Sequence, residues 1–205
     1  VINSLKLCVA TSNQGKINEY KALLNIAGLV ILTPKMLGVE QEASENGATF
    51  VENALIKARE MNKKTGLPAL ADDSGLCVKA LGGAPGIYSA RYGGELCTDD
   101  NQRCQLLLRE MENISDRKAY FTCAIALALP DGTEKTFEGR LSGIIARQMR
   151  GNYGFGYDPI FYLPSIDRHI AELSLAEKDK LSHRAQAAKQ VKKYLRNLMG
   201  QHDLP

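Results

Sequence analysis

The chain has 205 residues, a length that suits one domain or one domain with two lobes. Hydrophobic residues make up 44% and charged residues 24%, an ordinary globular composition that can bury a core. A net charge of +3 is too small to argue for a nucleic-acid or membrane-surface binder, and no apolar run approaches the roughly 20 residues of a membrane span. The five cysteines, Cys8, Cys77, Cys97, Cys104 and Cys123, are odd in number, scattered and without a CxxC pair. They read as buried thiols in a reducing cytosol. The stretch Val1-Ile2-Asn3-Ser4-Leu5-Lys6 has no signal-peptide layout.

Residues 5–10 read as a first strand. The polar loop Thr11-Ser12-Asn13-Gln14-Gly15-Lys16 follows, and then Ile17, Tyr20, Leu23, Leu24 and Ala27 fall at helical spacing up to Gly28, a helix terminator. Strand, polar loop and helix together aim backbone N–H groups and a positive dipole end into the loop, which suits an anion. The lone glycine, and Ile17 after the lysine, exclude a Walker loop. An ordinary N-cap with a solvated lysine is the other reading of this segment. Residues 29–33 read as a second strand, closed by Pro34.

The acidic stretch Glu40-Gln41-Glu42-Ala43-Ser44-Glu45-Asn46-Gly47 reads as a solvated loop, and spacing does not say which carboxylate would reach a metal. Thr49-Phe50-Val51-Glu52 is a capping box that opens a helix ending near Gly66, with Asn53 and Lys57 on one face. Ala71-Asp72-Asp73-Ser74-Gly75-Leu76 follows an apolar run. It reads either as a plain Asx-type turn or as an acidic turn holding a divalent cation at a strand end. A short strand resumes at residues 76–78, and residues 81–92 form a glycine-rich loop.

Thr98-Asp99-Asp100 caps a helix bearing Leu107, Leu108 and Met111. Residues 119–129 and 135–139 form a hairpin about Pro130-Asp131-Gly132-Thr133, with residues 141–146 a further strand candidate. The segment Gly151-Asn152-Tyr153-Gly154-Phe155-Gly156-Tyr157-Asp158-Pro159 combines glycines with aromatic rings. It reads as a wall for a flat ligand or as a turn before a core strand. Ser174-Leu175-Ala176-Glu177 is a second capping box, with Lys178 just inside. Ser182-His183-Arg184 starts the last helix, whose basic side is solvated.

These motifs, in this order, resemble the inosine triphosphate pyrophosphatases, which remove non-standard purine nucleoside triphosphates. The resemblance covers nearly the whole chain. It rests on Thr11-Ser12-Asn13 with Lys16, on Thr49-Phe50-Val51-Glu52-Asn53-Ala54 with Lys57, and on residues 71–76, 82–91, 154–159 and 182–184. It implies a single α/β domain over residues 1–205: an elongated mixed central sheet flanked by helices, in two lobes with a nucleotide cleft between them. It also implies a cytoplasmic homodimer dependent on Mg²⁺ that acts on a small nucleotide and on neither nucleic acid nor membrane. The reaction would convert ITP, dITP or XTP to monophosphate and pyrophosphate, cleansing the nucleotide pool. Two other readings stand beside it, a related pyrophosphatase for pyrimidine or modified nucleotides, as in the septum-site inhibitor family, and a nucleotide sensor that does not hydrolyse.

The resemblance also implies roles. Thr11, Ser12, Asn13, Gln14, Gly15 and Lys16 would hold the triphosphate, with Asn53 and Ser74 as further substrate contacts. Asp73 and Lys57 would be the catalytic pair. Glu45 and Asp73 would hold the metal, and Asp72 would be a supporting carboxylate. Phe155 would stack on the base, Gly156, Tyr157 and Asp158 would line its pocket, and Lys178, His183 and Arg184 would read its polar edge. The chain departs from the family pattern at Ser44, where many members carry an acid, at His169, and at Ala185, where glycine is common.

Overall fold

The computed structural model describes residues 4–40 and 46–201. Seven strands are joined in one sheet: β1 (Leu5–Val9), β2 (Leu29–Leu32), β3 (Ala69–Val78), β4 (Lys118–Ala128), β5 (Glu134–Ile145), β6 (Phe161–Leu163) and β7 (Arg168–His169), in the order β2-β1-β3-β4-β5-β6-β7. The sheet is mixed, because β1 pairs parallel with β2 and β3 whereas β6 pairs antiparallel with β5 and β7. The helices are α1 (Gln14–Leu23), α2 (Pro34–Leu37), α3 (Phe50–Thr65), α4 (Asp100–Glu110), α5 (Leu175–Leu181) and α6 (His183–Leu198). The chain divides into two compact units, one of residues 1–73, 123–139 and 184–205, the other of residues 74–122 and 140–183.

The first unit is built on strands buried on both faces. Leu5, Leu7 and Val9 of β1 and Cys123, Ile125 and Leu127 of β4 point one way, into a core with Tyr20 and Leu24 after the first loop and Ala187, Val191 and Leu195 of α6. Their neighbours Cys8, Ala124, Ala126 and Ala128 point the other way, toward Ala54, Ala58 and Met61 of α3. Successive strand side chains alternate between faces, so large residues cover one face and small ones the other. The small face leaves room for α3 close to the strands.

Helix ends follow local chemistry. Asn13 caps α1 through Lys16 N, and Thr49 caps α3 through Glu52 N. The capping box expected at Thr49 closes one residue upstream, since Glu52 takes the N–H of Ala48. Ser174 and Glu177 make the reciprocal box in full. Gly66 ends α3 at a φ of 66°, a conformation suited to glycine. α1 stops at Leu24, short of the expected Gly28.

The second unit packs Leu76 and Val78 of β3, Cys104 and Leu107 of α4, Met111 at its C-terminal cap, and Phe121, Tyr157, Phe161 and Ile170 into one core. The expected hairpin is present as β4 and β5, turned by Gly132 N–H donating to Leu129 O. A single 3₁₀ turn, Lys79–Leu81, leads into the expected glycine-rich loop, and a longer 3₁₀ segment, Gly86–Arg91, lies within it. His169 is structural: it is buried, with Nδ1 2.7 Å from Pro159 O.

One expectation is corrected. Asp72 and Asp73 do not end a strand in a turn; β3 runs through both to Val78. Asp, Ser and Gly disfavour strands in isolation, but each carboxylate here meets charged partners on its own side of the sheet, and tertiary pairing overrides propensity.

Candidate active site

Alternation along β3 separates the two aspartates. Asp73 emerges toward α3, where Lys57 Nζ lies 3.1 Å from Oδ1 and Asn53 Nδ2 donates to Oδ2 at 3.2 Å. Asn53 and Lys57 are one helical turn apart, which is why both reach the same carboxylate. Asn53, fully buried, also accepts the N–H of Gly47 at 2.9 Å. A Cβ at Gly47 would lie 2.8 Å from Asn53 Oδ1, so a side chain there would displace this bond.

Asp72 faces the opposite way, toward α1 and α6. Its Oδ2 meets Lys16 Nζ at 2.9 Å and an Arg184 terminal nitrogen at 3.2 Å, with Cys123 Sγ at 3.8 Å. The other terminal nitrogen of Arg184 lies 2.5 Å from Glu19 Oε2. Arg184 is 1% exposed and Glu19 3%. Burial alone would raise the Asp72 pKa, but Lys16, Arg184 and Lys57 outweigh it and hold the carboxyl well below its usual range. Burial alone would lower the Arg184 pKa, but Asp72 and Glu19 outweigh it and hold the guanidinium charged.

A depressed carboxylate pKa stabilises the fold above the unfolded value near 3.9, and the contribution is lost as pH falls through the folded value. Wild-type stability in urea is therefore expected to decline below about pH 4 more steeply than that of Asp72→Asn. Equal acid slopes for the two proteins would show that Asp72 carries no such linkage.

The loop before α1 keeps Thr11 buried, with its Oγ1 accepting Asn13 N–H at 3.2 Å. Ser12, Asn13 and Gln14 are exposed, while Gly15 and Lys16 are half-buried. No acidic residue lies in the first turn of α1, so its N-terminal dipole is open to an external anion.

In the second unit, Lys178 Nζ lies 2.6 Å from Asp158 Oδ2 and 4.6 Å from the centre of the half-buried Phe155 ring. The same Asp158 oxygen accepts Phe155 N–H at 3.1 Å. Gly154 turns at a φ of 80°, and a Cβ there would lie 2.1 Å from Asp158 Oδ2. Tyr157 is buried, with its hydroxyl donating to Ser89 O, and burial pushes its phenol up. His183 stacks on Phe121, with ring centres 4.8 Å apart and planes 12° apart. A cavity of about 540 Å³ lies beside this segment, lined in part by Asp100, Cys104, Arg150, Phe155 and Gly156. That volume is in the range of small-molecule sites.

The structure thus brings Lys16, Asn53, Lys57, Asp72, Asp73 and Arg184 together around one strand of the first unit, and Phe155, Gly156, Asp158 and Lys178 together in the second. Ser74 follows in β3, half-buried. Tyr157 and His183 are core-facing anchors. Glu45 lies outside the described residues. Arg184, expected at a base edge, has both terminal nitrogens on carboxylates of its own unit.

Comparison with known proteins bears on what this arrangement serves. A model of the Ham1 family matches residues 7–194. The chain belongs to the Ham1 family. A Streptomyces avermitilis relative named dITP/XTP pyrophosphatase is 47% identical over 202 residues, covering 95% of this chain and 99% of its own. A Photorhabdus laumondii relative of the same name is 50% identical over 196 residues, covering 94% and 98%. The solved structure of a HAM1 protein from Coxiella burnetii superposes with a TM-score of 0.86 at 44% identity, covering 94% and 99%.

Two features of this Ham1 chain escaped sequence reasoning. Glu19 sits between Ile17 and Tyr20 on the buried side of α1, and nothing in its spacing marks it as a partner of Arg184. The ties made by Asp100 and Cys104 to the 154–158 segment also went unread, because both residues look ordinary, one in a helix's first turn and one in its apolar face. Among the described residues no group of three or more His, Cys, Asp or Glu side chains gathers as a metal cage. No helix among them is long and apolar enough to cross a membrane. All five cysteines are free and buried.

Proposed function

We propose that this protein hydrolyses non-standard purine nucleoside triphosphates, ITP, dITP and XTP, to the monophosphate and pyrophosphate, and so keeps deaminated purines out of nucleic acids. The observation that carries this is Asp73, a buried carboxylate held by Lys57 and Asn53 on the strand whose neighbouring Asp72 holds Lys16 of an anion-accepting loop. The two compact units act as one pyrophosphatase domain, in the cytoplasm and as a homodimer.

The roles follow from chemistry. The backbone N–H groups of Ser12, Gln14 and Gly15, the Thr11, Ser12 and Asn13 side chains and Lys16 hold phosphate oxygens. Asp73 accepts a proton from the water whose oxygen attacks the α-phosphorus. The bond from the α-phosphorus to its bridging oxygen breaks, and pyrophosphate leaves with its charge offset by Lys57. Asn53 holds Asp73 in place, and Ser74 contacts substrate.

The donor set fits Mg²⁺. Lys16, Lys57 and Arg184 each face a carboxylate among Asp72, Asp73 and Glu19, so this set offers a polyanion little net positive charge. A hard cation on one or two carboxylates and the substrate phosphates supplies it without a full protein cage. Asp73 and Glu45 are the residues proposed to hold it. When bound it polarises phosphoryl oxygens.

In the second unit Phe155 stacks on the base, beside Gly156 and the anchored Tyr157 and Asp158. Lys178 only donates hydrogen bonds, so it matches the 6-oxo group of hypoxanthine or xanthine and opposes the 6-amino group of adenine. Sites built on such donors reject a mismatched analogue by up to roughly 10⁴–10⁵. A panel of ITP, dITP, XTP, GTP, ATP and CTP with pyrophosphate detection tests the reading. Release from the first three, at least 100-fold faster than from ATP, is expected; preference for ATP or CTP would overturn it.

A further inference from the structure

The segment proposed to carry the base-stacking ring is gripped by α4 at two points. Gly156 N–H donates to Asp100 Oδ2 at 2.7 Å. Gly156 O lies 3.4 Å from Cys104 Sγ, whose thiol is buried and, with burial pushing its pKa up to about 12, protonated and able to donate. Asp100 and Cys104 are four residues apart, one turn of the helix, so one face of α4 reaches both polar groups of one glycine. On the other side of Phe155, its own N–H is held by Asp158, which is held in turn by Lys178. The Phe155 backbone is therefore fixed at its own amide and at the next one.

Gly156 sits at a φ of 63°, a turn without side-chain packing of its own. Its geometry depends on these outside contacts. The Asp100 bond is charge-assisted, the stronger class. Asp100 is not the helix cap, a role taken by Asp99 through Gln102 N–H. Its side chain is about half exposed, 48%, so its contact with Gly156 is not needed to fill the core.

We propose that Asp100 is a positioning residue for base selection: by holding the Gly156 N–H, with Cys104 on the Gly156 carbonyl, it sets the angle at which the Phe155 ring meets the purine. The inference rests on the pyrophosphatase reading and names a residue that this reading leaves out. Asp100 touches no substrate; it acts through Gly156. Loss of its oxygen leaves the ring in several orientations, so binding of the base weakens while the phosphate chemistry in the first unit is untouched.

The test is steady-state kinetics on the full chain with ITP, for wild type, Asp100→Ala and Asp100→Asn, with Tm for each. Asp100→Ala is expected to raise KM for ITP by about tenfold, in the range that loss of a base stack produces, with kcat within about twofold and Tm lowered by only a few degrees. Asp100→Asn retains an acceptor oxygen for Gly156 N–H but loses the ion pair with Arg103, and it is expected to restore KM to within about threefold of wild type. An unchanged KM in Asp100→Ala would overturn the proposal. So would an Asn variant as impaired as the Ala variant, or a fall in kcat and Tm without a rise in KM. If wild type releases no pyrophosphate from ITP, the functional reading fails first; if it does and KM ignores Asp100, only the positioning role fails.

Discussion

Asp73→Asn is expected to lower pyrophosphate release from ITP by roughly 10²–10⁴-fold while the protein stays folded. The amide keeps one carbonyl oxygen, so Lys57 Nζ, 3.1 Å from Oδ1 in wild type, retains an acceptor. What disappears is the negative charge and the capacity to take a proton. The proposed chemistry needs both, one to hold the cation and one to deprotonate water. Steady-state turnover with circular dichroism on the same sample separates loss of function from loss of fold. A folded Asp73→Asn enzyme within tenfold of wild type would remove Asp73 from the chemistry and move attention to Asp72.

Arg184→Ala carries the largest expected effect on stability. The guanidinium is the shared partner of Glu19 and Asp72, and all three side chains are almost fully buried. Removing it leaves two carboxylates facing each other's space with Lys16 as the nearby cation. Breaking a buried ion pair typically costs about 3–5 kcal/mol. For a chain of this size that is roughly 6–20 °C in Tm. Glu19→Gln with Arg184→Met, which removes one buried charge along with the guanidinium, is expected to lose less than Arg184→Ala. If Arg184→Ala keeps the wild-type Tm and only admits ATP more readily, the guanidinium serves base reading and the buried network contributes little. Loss of both stability and selectivity would assign it both tasks.

The fate of the two aspartates shows how far the sequence could be read. Their composition, with Ser74 and Gly75, pointed to a turn. Yet Leu70 belongs to the large-residue core and Ala71 to the small-residue one, so alternation carried one step further puts Asp72 toward α1 and α6 and Asp73 toward α3. The separate roles of the pair were legible in that parity once the strand was continued. Capping residues Thr49, Asp99 and Ser174 and the hairpin at residues 130–133 were legible because their signals are local. The Glu19–Arg184 pair was not, since its members lie 165 residues apart and only the packing of α1 against α6 brings them together. The grip of Asp100 and Cys104 on Gly156, across 56 and 52 residues, was hidden for the same reason. Local chemistry fixes where elements begin and end; which polar groups end up buried together depends on the tertiary arrangement.

Lys16, Lys57 and Arg184 are each balanced by a carboxylate, and of the basic residues of α6 Lys189 and Lys193 are exposed while Lys192 and Arg196 are half-buried. The small net charge of +3 leaves little field to attract a long polyanion.

The central claim is cleavage between the α- and β-phosphates of a 6-oxopurine triphosphate, and ³¹P NMR of ITP incubated with the protein and Mg²⁺ tests it most directly. IMP and pyrophosphate appearing together, in equal amounts and without IDP, is the predicted result. IDP and orthophosphate as the first products would contradict it.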